Sequence, residues 1–419
     1  MNFSREAGFI VFRVLIPLVI FATQYVLSRR TERWFRTHAP RAKAWRLVAR
    51  TLFVLFNAAF VYIFLQRPGW QYPSPWYVQA GWFPFYLWHG TSFFIGLFLL
   101  IMWIIRSPFR LGLWIAKKIP PARKRLETVR SMPRVQAFDS ARRTFLRRGM
   151  YGLAATSLGG NAYGMLLEKN ECDITSTEFA IRGLPLPLDG FTIALVSDIH
   201  SSVFMLRKEM ERYARLVNSL HADLIVVPGY FVTSYVSEVY PFTEAFHVLS
   251  APYGVYGVLG NHDFYAGADT VAREVDACGI KMLRDDKVLI EKNGGSFYLL
   301  GVDDVGVNNR APIKLDQTIG SAPDRIPRIL LCHRPYYLKD AAERNIDLVL
   351  SGHTHGGQVV LGRFGNVVLA PSSIASPYVS GRYSEGNTQM YVSRGIGTVG
   401  LPLRINCPPE ITRITLRRV

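Results

Sequence analysis

The chain has 419 residues, which exceeds the size of one ordinary domain and leaves room for a sizeable core plus an accessory region. Its formal net charge is +18, but the charge is concentrated: residues 28–50 carry eight Lys or Arg and one acid, and residues 106–148 carry thirteen and two. From Met150 onward there are 25 basic and 27 acidic residues, so a nucleic-acid-binding function is not favoured.

Three apolar runs precede the near-neutral part of the chain, and the two basic stretches flank them. The runs are Phe9–Leu27, Thr51–Leu65 with an upstream extension to Leu47, and about Trp88–Ile105. Each approaches the roughly 20 residues that a helix needs to cross a bilayer. Basic stretches beside apolar runs are typical of cytoplasmic loops, so we predict a multi-pass protein of the cell membrane. Buried helices of a soluble protein are the alternative interpretation.

Residues 140–160 read SARRTFLRRGMYGLAATSLGG, which resembles a twin-arginine export signal. Arg142 and Arg143 form the pair, and a weakly hydrophobic run rich in Gly and Ala follows them. The alternative is a juxtamembrane basic patch that leads into a fourth membrane helix. Both interpretations carry the chain outward, so we expect the large domain to be extracytoplasmic. The predicted organisation is a three-helix transmembrane region (1–110), a basic linker with this motif (111–183) and the large domain (184–419).

From Gly190 onward, short apolar runs alternate with amphipathic stretches. Helical patterns occur at 206–220 and 269–278, between runs that have the length and β-branched content of buried strands. This alternation predicts an α/β domain, in which ligands collect at the carboxyl ends of the strands. The strand-like runs are FTIALVS (191–197), ADLIVVPG (222–229), YGVYGVLG (253–260), RILLC (328–332) and DLVLSG (347–352).

Five of the nine histidines follow directly after these predicted strands. A lone histidine is usually a structural residue, but five at one edge of a sheet indicate a shared site. Imidazole, carboxylate and amide donors together suit a divalent ion of the Mn, Fe or Zn class. Two such ions can hold a phosphoryl group and supply hydroxide near neutral pH. The motifs are SDIH (Asp198, His200), GNHD (Asn261, His262, Asp263), LLCHRP (His333) and SGHTHGG (His353, His355).

In this order and spacing, the motifs resemble those of the calcineurin-like metallophosphoesterase family, from roughly Leu184 to the C terminus. GHTHGGQ and the closing YVSRGIGTVGLPLRINCPPEITRITL are similar to a membrane-linked bacterial branch. The resemblance implies a four-layer α/β/β/α sandwich that binds one or two divalent ions. It assigns Asp198, His200 and His355 to the first ion and Asn261, His333 and His353 to the second. It also implies that His262 protonates the leaving group or stabilises the transferring phosphoryl group, and that Asp263 holds the His262 imidazole; a simple turn residue is the alternative for Asp263.

Tyr230 departs from the family pattern. The second family motif reads GD, and its aspartate bridges both ions, whereas this chain has Gly229 followed by Tyr230. A phenol has one oxygen and keeps its proton until about pH 10 unless a metal lowers its pKa. Three outcomes are open: a phenolate ligand in an altered but competent centre, a one-ion centre with weak hydrolysis, or an inactive centre.

The resemblance therefore implies a membrane-anchored hydrolase of a phosphomonoester or phosphodiester, and tethering beside the bilayer favours a lipid or envelope-derived substrate. A catalytically inactive binding or scaffold protein with the same fold is the alternative. A transport or signalling role for the helices has little support, because Arg13 is the one ionisable residue that stands out in the apolar runs. The cysteines include no CxxC pair, which argues against a zinc ribbon, and they are Cys172, Cys278, Cys332 and Cys407.

Overall fold

The computed structural model describes residues 16–66, 76–304, 311–323, 325–364, 367–374 and 376–419. These residues form two compact units. A helical unit lies within residues 16–66 and 80–162, and an α/β unit begins at Tyr163 and takes in residues 76–79.

The helical unit is built only from helices within its described residues. Lys43–Tyr62 and Ala80–Lys118 are long and apolar enough to cross a membrane. They contain most of the second predicted span and all of the third. The first predicted span, Phe9–Leu27, starts outside the described residues and continues into the first helix. The helices are Ile16–His38 (α1), Lys43–Gln66 (α2), Trp76–Lys118 (α3), Pro120–Ser131 (α4) and Pro133–Leu166 (α5).

The stretch that resembles a twin-arginine signal lies inside helix α5. Among the described helices, α5 is not one that is apolar enough to cross a membrane by its composition. Neither the export signal nor the fourth span is tested by this arrangement, and both stay predictions.

Two six-stranded mixed sheets form the centre of the α/β unit. The first has the order β1-β14-β2-β3-β4-β5, from Asp173–Ile181 (β1), Glu410–Arg418 (β14), Thr192–Leu195 (β2), Leu224–Pro228 (β3), Val255–Val258 (β4) and Lys281–Met282 (β5). The second has the order β12-β13-β9-β8-β7-β6, from Gly381–Glu385 (β12), Thr388–Val392 (β13), Leu348–Ser351 (β9), Arg328–Cys332 (β8), Gly295–Val302 (β7) and Asp286–Lys292 (β6). A small antiparallel pair is formed by Gly362–Phe364 (β10) and Val367–Leu369 (β11).

Helices cover the outer face of each sheet, so the layers are α/β/β/α, as the resemblance implied. Strand β2 illustrates how each sheet separates two apolar layers. Ile193 and Leu195 point into the core between the sheets, whereas Ala194 points to the helices. The first sheet carries Arg207–Asn218 (α6), Val239–Phe246 (α7) and Asn261–Ala277 (α8), and the second carries Ala311–Ile319 (α9) and Leu338–Ala342 (α10).

Strands β2, β3 and β4 are parallel, as are β7, β8 and β9. Parallel neighbours end at the same edge of a sheet, so the loops that come after them meet there. Each of the five runs predicted as strands overlaps one of β2, β3, β4, β8 and β9. The residues after these strands are therefore the ones that the fold brings together.

We expect Phe297→Ala to destabilise the α/β unit by about 3–5 kcal/mol, because Phe297 is fully buried between the sheets and its removal leaves a cavity. The midpoint of thermal unfolding of the full-length protein should fall by about 6 °C or more. Leu289→Ala is the control: Leu289 lies on the neighbouring strand β6 and is 37% exposed. Equal shifts for the two variants would contradict the placement of the core between the sheets.

Candidate metal centre

All eight residues predicted for the site lie after carboxyl ends of strands in the α/β unit. The histidine rings among them form two contacting pairs. The ring centroids of His200 and His355 are 4.9 Å apart, and those of His333 and His353 are 5.2 Å apart. The Tyr230 ring links the two pairs, with its centroid 4.5 Å from that of His200 and 3.7 Å from that of His333. The His262 ring lies 4.9 Å from that of His200. His262 and His353 are partly exposed, and the other six predicted residues are buried. The site is therefore a buried cluster with two imidazoles at its open side.

The backbone around this cluster is held in an uncommon conformation. Positive φ values occur at Asp198 (53°), His200 (53°), Tyr230 (61°), His353 (77°) and His355 (52°). Left-handed backbone costs a residue with a side chain roughly 1–2 kcal/mol, and such strain concentrates at functional sites. Hydrogen bonds between the loops compensate for it: the His200 N–H donates to Tyr230 O at 2.9 Å, and the Asp198 N–H donates to Gly229 O at 3.2 Å.

The first set of predicted ligands, Asp198, His200 and His355, converges. His355 Nε2 lies 3.7 Å from Asp198 Oδ1 and 3.2 Å from His200 Nε2. Ligands that share one ion with bonds of about 2.0–2.2 Å lie at similar mutual distances. Among the described residues, no group of three or more His, Cys, Asp or Glu side chains is placed so that it could hold a metal ion as it stands. The donors of the first set have a spacing and a chemistry that suit an ion, but they do not form a finished coordination shell.

Ligation requires neutral imidazoles and an ionised carboxylate, and the two imidazoles of this set meet that requirement. Burial, and then the neighbouring charge of His262, lowers the pKa of His200 well below its ordinary value. Burial, and then the charge of Arg404, does the same for the pKa of His355. Burial raises the pKa of Asp198 to about 7, although hydrogen bonds from Ser197 Oγ and the His353 N–H act in the opposite direction.

The second set of predicted ligands is Asn261, His333 and His353. It differs from the first set because two of its members already make hydrogen bonds with the Tyr230 hydroxyl. Tyr230 Oη donates to Asn261 Oδ1 at 2.9 Å and lies 2.7 Å from His353 Nδ1. With its one proton given to Asn261, the phenol accepts the hydrogen bond from His353 Nδ1–H. Burial keeps the phenol protonated by raising the pKa of Tyr230 well above 10. As these side chains stand, the second set does not fit a second ion.

His333 is the member of the second set that the phenol hydroxyl does not contact. Its Nδ1–H donates to Pro228 O at 2.7 Å, which leaves the lone pair on Nε2. That buried Nε2 has no hydrogen-bond partner among the described residues. The Tyr230 ring packs against His333 with a centroid distance of 3.7 Å. Tyr230 therefore fills space beside a nitrogen that has the electronic form of a metal ligand.

The contacts of Asp263 differ from the expectation that it holds the His262 imidazole. Its buried carboxylate accepts the N–H groups of Gly260, Tyr230 and Val232 at 2.8, 2.9 and 3.2 Å. His262 Nδ1 instead contacts the carbonyl of Thr233. The Asp263 carboxylate is thus bonded to backbone N–H groups and not to the His262 imidazole. It fixes the turn that carries Tyr230. The sequence could not distinguish these two partners.

Arg404 is a residue of this region that the sequence analysis did not single out. It is fully buried, and its guanidinium donates to the carbonyls of Arg394, Gly395, Gly397 and Cys407 at 2.6–3.1 Å. The Gly397 N–H in turn donates to Asp198 O at 2.7 Å. Arg404 therefore holds the loop that packs against Asp198. The closing motif contained it, but nothing in that motif marks a buried arginine.

Comparison with known proteins gives a consistent family signal. The sequence profile described as calcineurin-like phosphoesterase matches residues 191–357, which contain all eight predicted site residues. The uncharacterized metallophosphoesterase YkuE of Bacillus subtilis is 32% identical over 287 residues, covering 66% of this chain and 98% of that protein. A transmembrane protein with metallophosphoesterase domain from Danio rerio is 30% identical over 306 residues, covering 70% of this chain and 67% of that protein.

We expect Arg404→Met to destabilise the α/β unit by about 3 kcal/mol or more, because it leaves four buried carbonyls without their donor. Arg404→Lys should not restore stability, since an ammonium cannot span the same carbonyls. Thermal unfolding of the full-length protein measures both effects. Arg215→Met, at an exposed position of helix α6, is the matched control. A melting temperature for Arg404→Met equal to that of the control would contradict the role of Arg404.

Proposed function

The chain belongs to the calcineurin-like metallophosphoesterase family, and on that basis we propose that it is a membrane-anchored, metal-dependent phosphoesterase that cleaves a phosphomonoester or phosphodiester. The observation that carries this proposal is the convergence of Asp198, His200 and His355, at mutual distances of 3.2 and 3.7 Å, on backbone held at positive φ. Strain of this kind persists only where the surrounding structure enforces it.

Asp198, His200 and His355 would hold the ion. Their mixture of carboxylate and imidazole suits a divalent cation of the Mn, Fe or Zn class. Such an ion supplies hydroxide near neutral pH and polarises a phosphoryl oxygen. The protein residues supply the geometry: His200 Nδ1 lies 3.2 Å from Thr233 Oγ1, which orients its Nε2 toward His355. The Ser197 hydroxyl and the His353 N–H orient the Asp198 carboxylate.

His262 is proposed to act on the leaving group or the transferring phosphoryl group. Its contact with the Thr233 carbonyl assigns the proton to Nδ1 and leaves Nε2 for the substrate. It is partly exposed, so a substrate can reach it. Asp263 supports this role indirectly, by fixing the loop that ends at Thr233 through the Val232 N–H.

The centre is proposed to hold one ion, with the Tyr230 phenol in place of the bridging carboxylate. Two observations support this interpretation: the phenol engages Asn261 and His353, and its ring packs against His333. Hydrolysis by such a centre should be weak, because one ion cannot clamp both the attacking and the leaving oxygen. The same contacts favour a second candidate function, in which the domain binds a phosphorylated ligand without turning it over.

The helical unit and the relatives suggest where the protein works. Two described helices are apolar enough to cross a membrane, and relatives carry names of transmembrane proteins, which indicates membrane association. We propose that the domain faces the extracytoplasmic side and that its substrate is a lipid or envelope-derived phosphoester, because the domain is tethered beside the bilayer.

We expect the parent protein to bind about one ion per chain and Tyr230→Asp to bind two, because a carboxylate can bridge two ions and releases Asn261 and His353. Hydrolysis of bis(p-nitrophenyl) phosphate by the variant should rise by about tenfold or more, the scale on which metal-site partners act. Metal analysis of the purified full-length protein and the hydrolysis assay give the two readouts.

The control for this substitution is Tyr240→Asp, which makes the same chemical change at an exposed position on helix α7. Two ions in the parent together with full activity would mean that the phenolate is a working ligand. No ion and no hydrolysis in either protein would support the binding function instead.

We also expect His200→Ala and His333→Ala to differ. His200→Ala removes a donor of the first set, so bound metal and hydrolysis should fall by about 10–100-fold or more. His333→Ala should leave metal content unchanged, because its set holds no ion. His247→Ala, at an exposed position, controls for the loss of an imidazole. Equal loss of metal in the two site variants would contradict the one-ion centre.

A further inference from the structure

The helical unit contains a groove of about 1150 Å³ with arginines along its wall. Arg29, Arg30 and Arg33 come from helix α1, and Arg106 and Arg110 come from helix α3. These two groups of arginines lie on separate helices far apart in sequence and meet only because the helices pack together. The candidate metal centre belongs to the other unit of the chain, so a ligand of the groove need not be a substrate.

The rest of the groove is largely apolar. Phe98, Met102 and Trp103 line it from helix α3, and Phe145 and Leu146 line it from helix α5. Large apolar side chains are open there: Trp103 is 57% exposed and Phe145 is 75% exposed. Exposed apolar surface of this kind marks a binding or membrane-contacting region. The groove thus has a cationic wall, formed by the five arginines, and an apolar bed, formed by Phe98, Met102, Trp103, Phe145 and Leu146.

Carboxylates do not neutralise this wall. Among the described residues, none of the five arginines forms an ion pair with Asp or Glu. The nearby acid in sequence is Glu32, which pairs with Arg36, Arg46 and Arg50 instead. Burial, and then the charges of Arg33, Arg106 and Arg110, lowers the pKa of Arg30. The arginines are therefore close enough to repel one another, and an anion would relieve that repulsion.

The position of the arginines along their helices matches a membrane surface. Arg29 and Arg30 come within three residues of the end of the predicted span Phe9–Leu27, and Arg106 comes directly after the apolar run Trp88–Ile105. Cationic side chains at the ends of apolar runs lie at the level of the lipid headgroups. The apolar bed includes Phe98 and Met102, which lie within that run and therefore at the depth of the acyl chains.

We propose that this groove binds an anionic phospholipid, with its phosphate held by the five arginines and an acyl chain along the apolar bed. Guanidinium groups bind phosphate through paired hydrogen bonds, which an ammonium cannot reproduce. A soluble phosphate would satisfy the arginines but leave the aromatic and aliphatic bed uncovered. The lipid comes from the leaflet that faces the two basic stretches of the sequence.

The test uses purified full-length protein in neutral detergent, with bound lipid counted by native mass spectrometry during titration. The probes are dioleoyl phosphatidylglycerol, dioleoyl phosphatidylcholine and inorganic phosphate. We expect phosphatidylglycerol to bind in preference to phosphatidylcholine. Arg30→Gln with Arg33→Gln, and separately Arg106→Gln with Arg110→Gln, should each weaken phosphatidylglycerol binding by about 30-fold, the effect expected for two charges near an anionic headgroup.

The matched control is Lys124→Gln with Arg125→Gln, which removes two charges from exposed positions of helix α4 outside the groove. Because the two groove pairs lie on different helices, each tests the site independently of the folding of the other. Equal weakening by the control pair would overturn the proposal in favour of diffuse charge attraction. Equal binding of phosphatidylcholine, or displacement of the lipid by inorganic phosphate at the same concentration, would also overturn it.

Discussion

The candidate metal centre depends on how closely the backbone approaches Asp198. A Cβ atom at Gly352 would lie 2.3 Å from the Asp198 carboxylate, and one at Gly395 would lie 2.4 Å from its Cβ. Real Cβ atoms do not come so close, so the two loops reach this carboxylate only because both positions lack a side chain. Arg404 holds the second of these loops through its backbone carbonyls. Asp198 follows a strand of the first sheet, and both of these loops follow strands of the second sheet. The position of the first ligand set therefore depends on contacts between loops of the two sheets.

The same close packing explains the place of Tyr230. Its N–H donates to Asp263, its carbonyl accepts from His200, and its backbone has a φ of 61°. A Cβ at Gly260 would lie 2.7 Å from the Tyr230 ring, so this glycine is needed beside the phenol. This backbone thus presents a phenol among the predicted ligands.

The two units of the chain carry different chemistry. The α/β unit is nearly neutral and buries its polar site residues between loops, where low dielectric strengthens each hydrogen bond. The helical unit exposes aromatic and aliphatic side chains and concentrates arginine at the ends of apolar runs. Exposed apolar surface costs little beside lipid, so this unit suits association with a membrane.

Local pattern in the sequence determined the strands that carry the site and the motifs at their ends, because strand burial and motif spacing depend on neighbouring residues. The edge pairing of β1 with β14, more than 200 residues apart, had no local signal. Neither did the burial of Arg404, the backbone contacts of Asp263 or the groove between α1, α3 and α5. Only the tertiary structure decided whether the Tyr230 hydroxyl meets Asn261 and His353, because that depends on the approach of loops from three separate strands and on the space that remains between them.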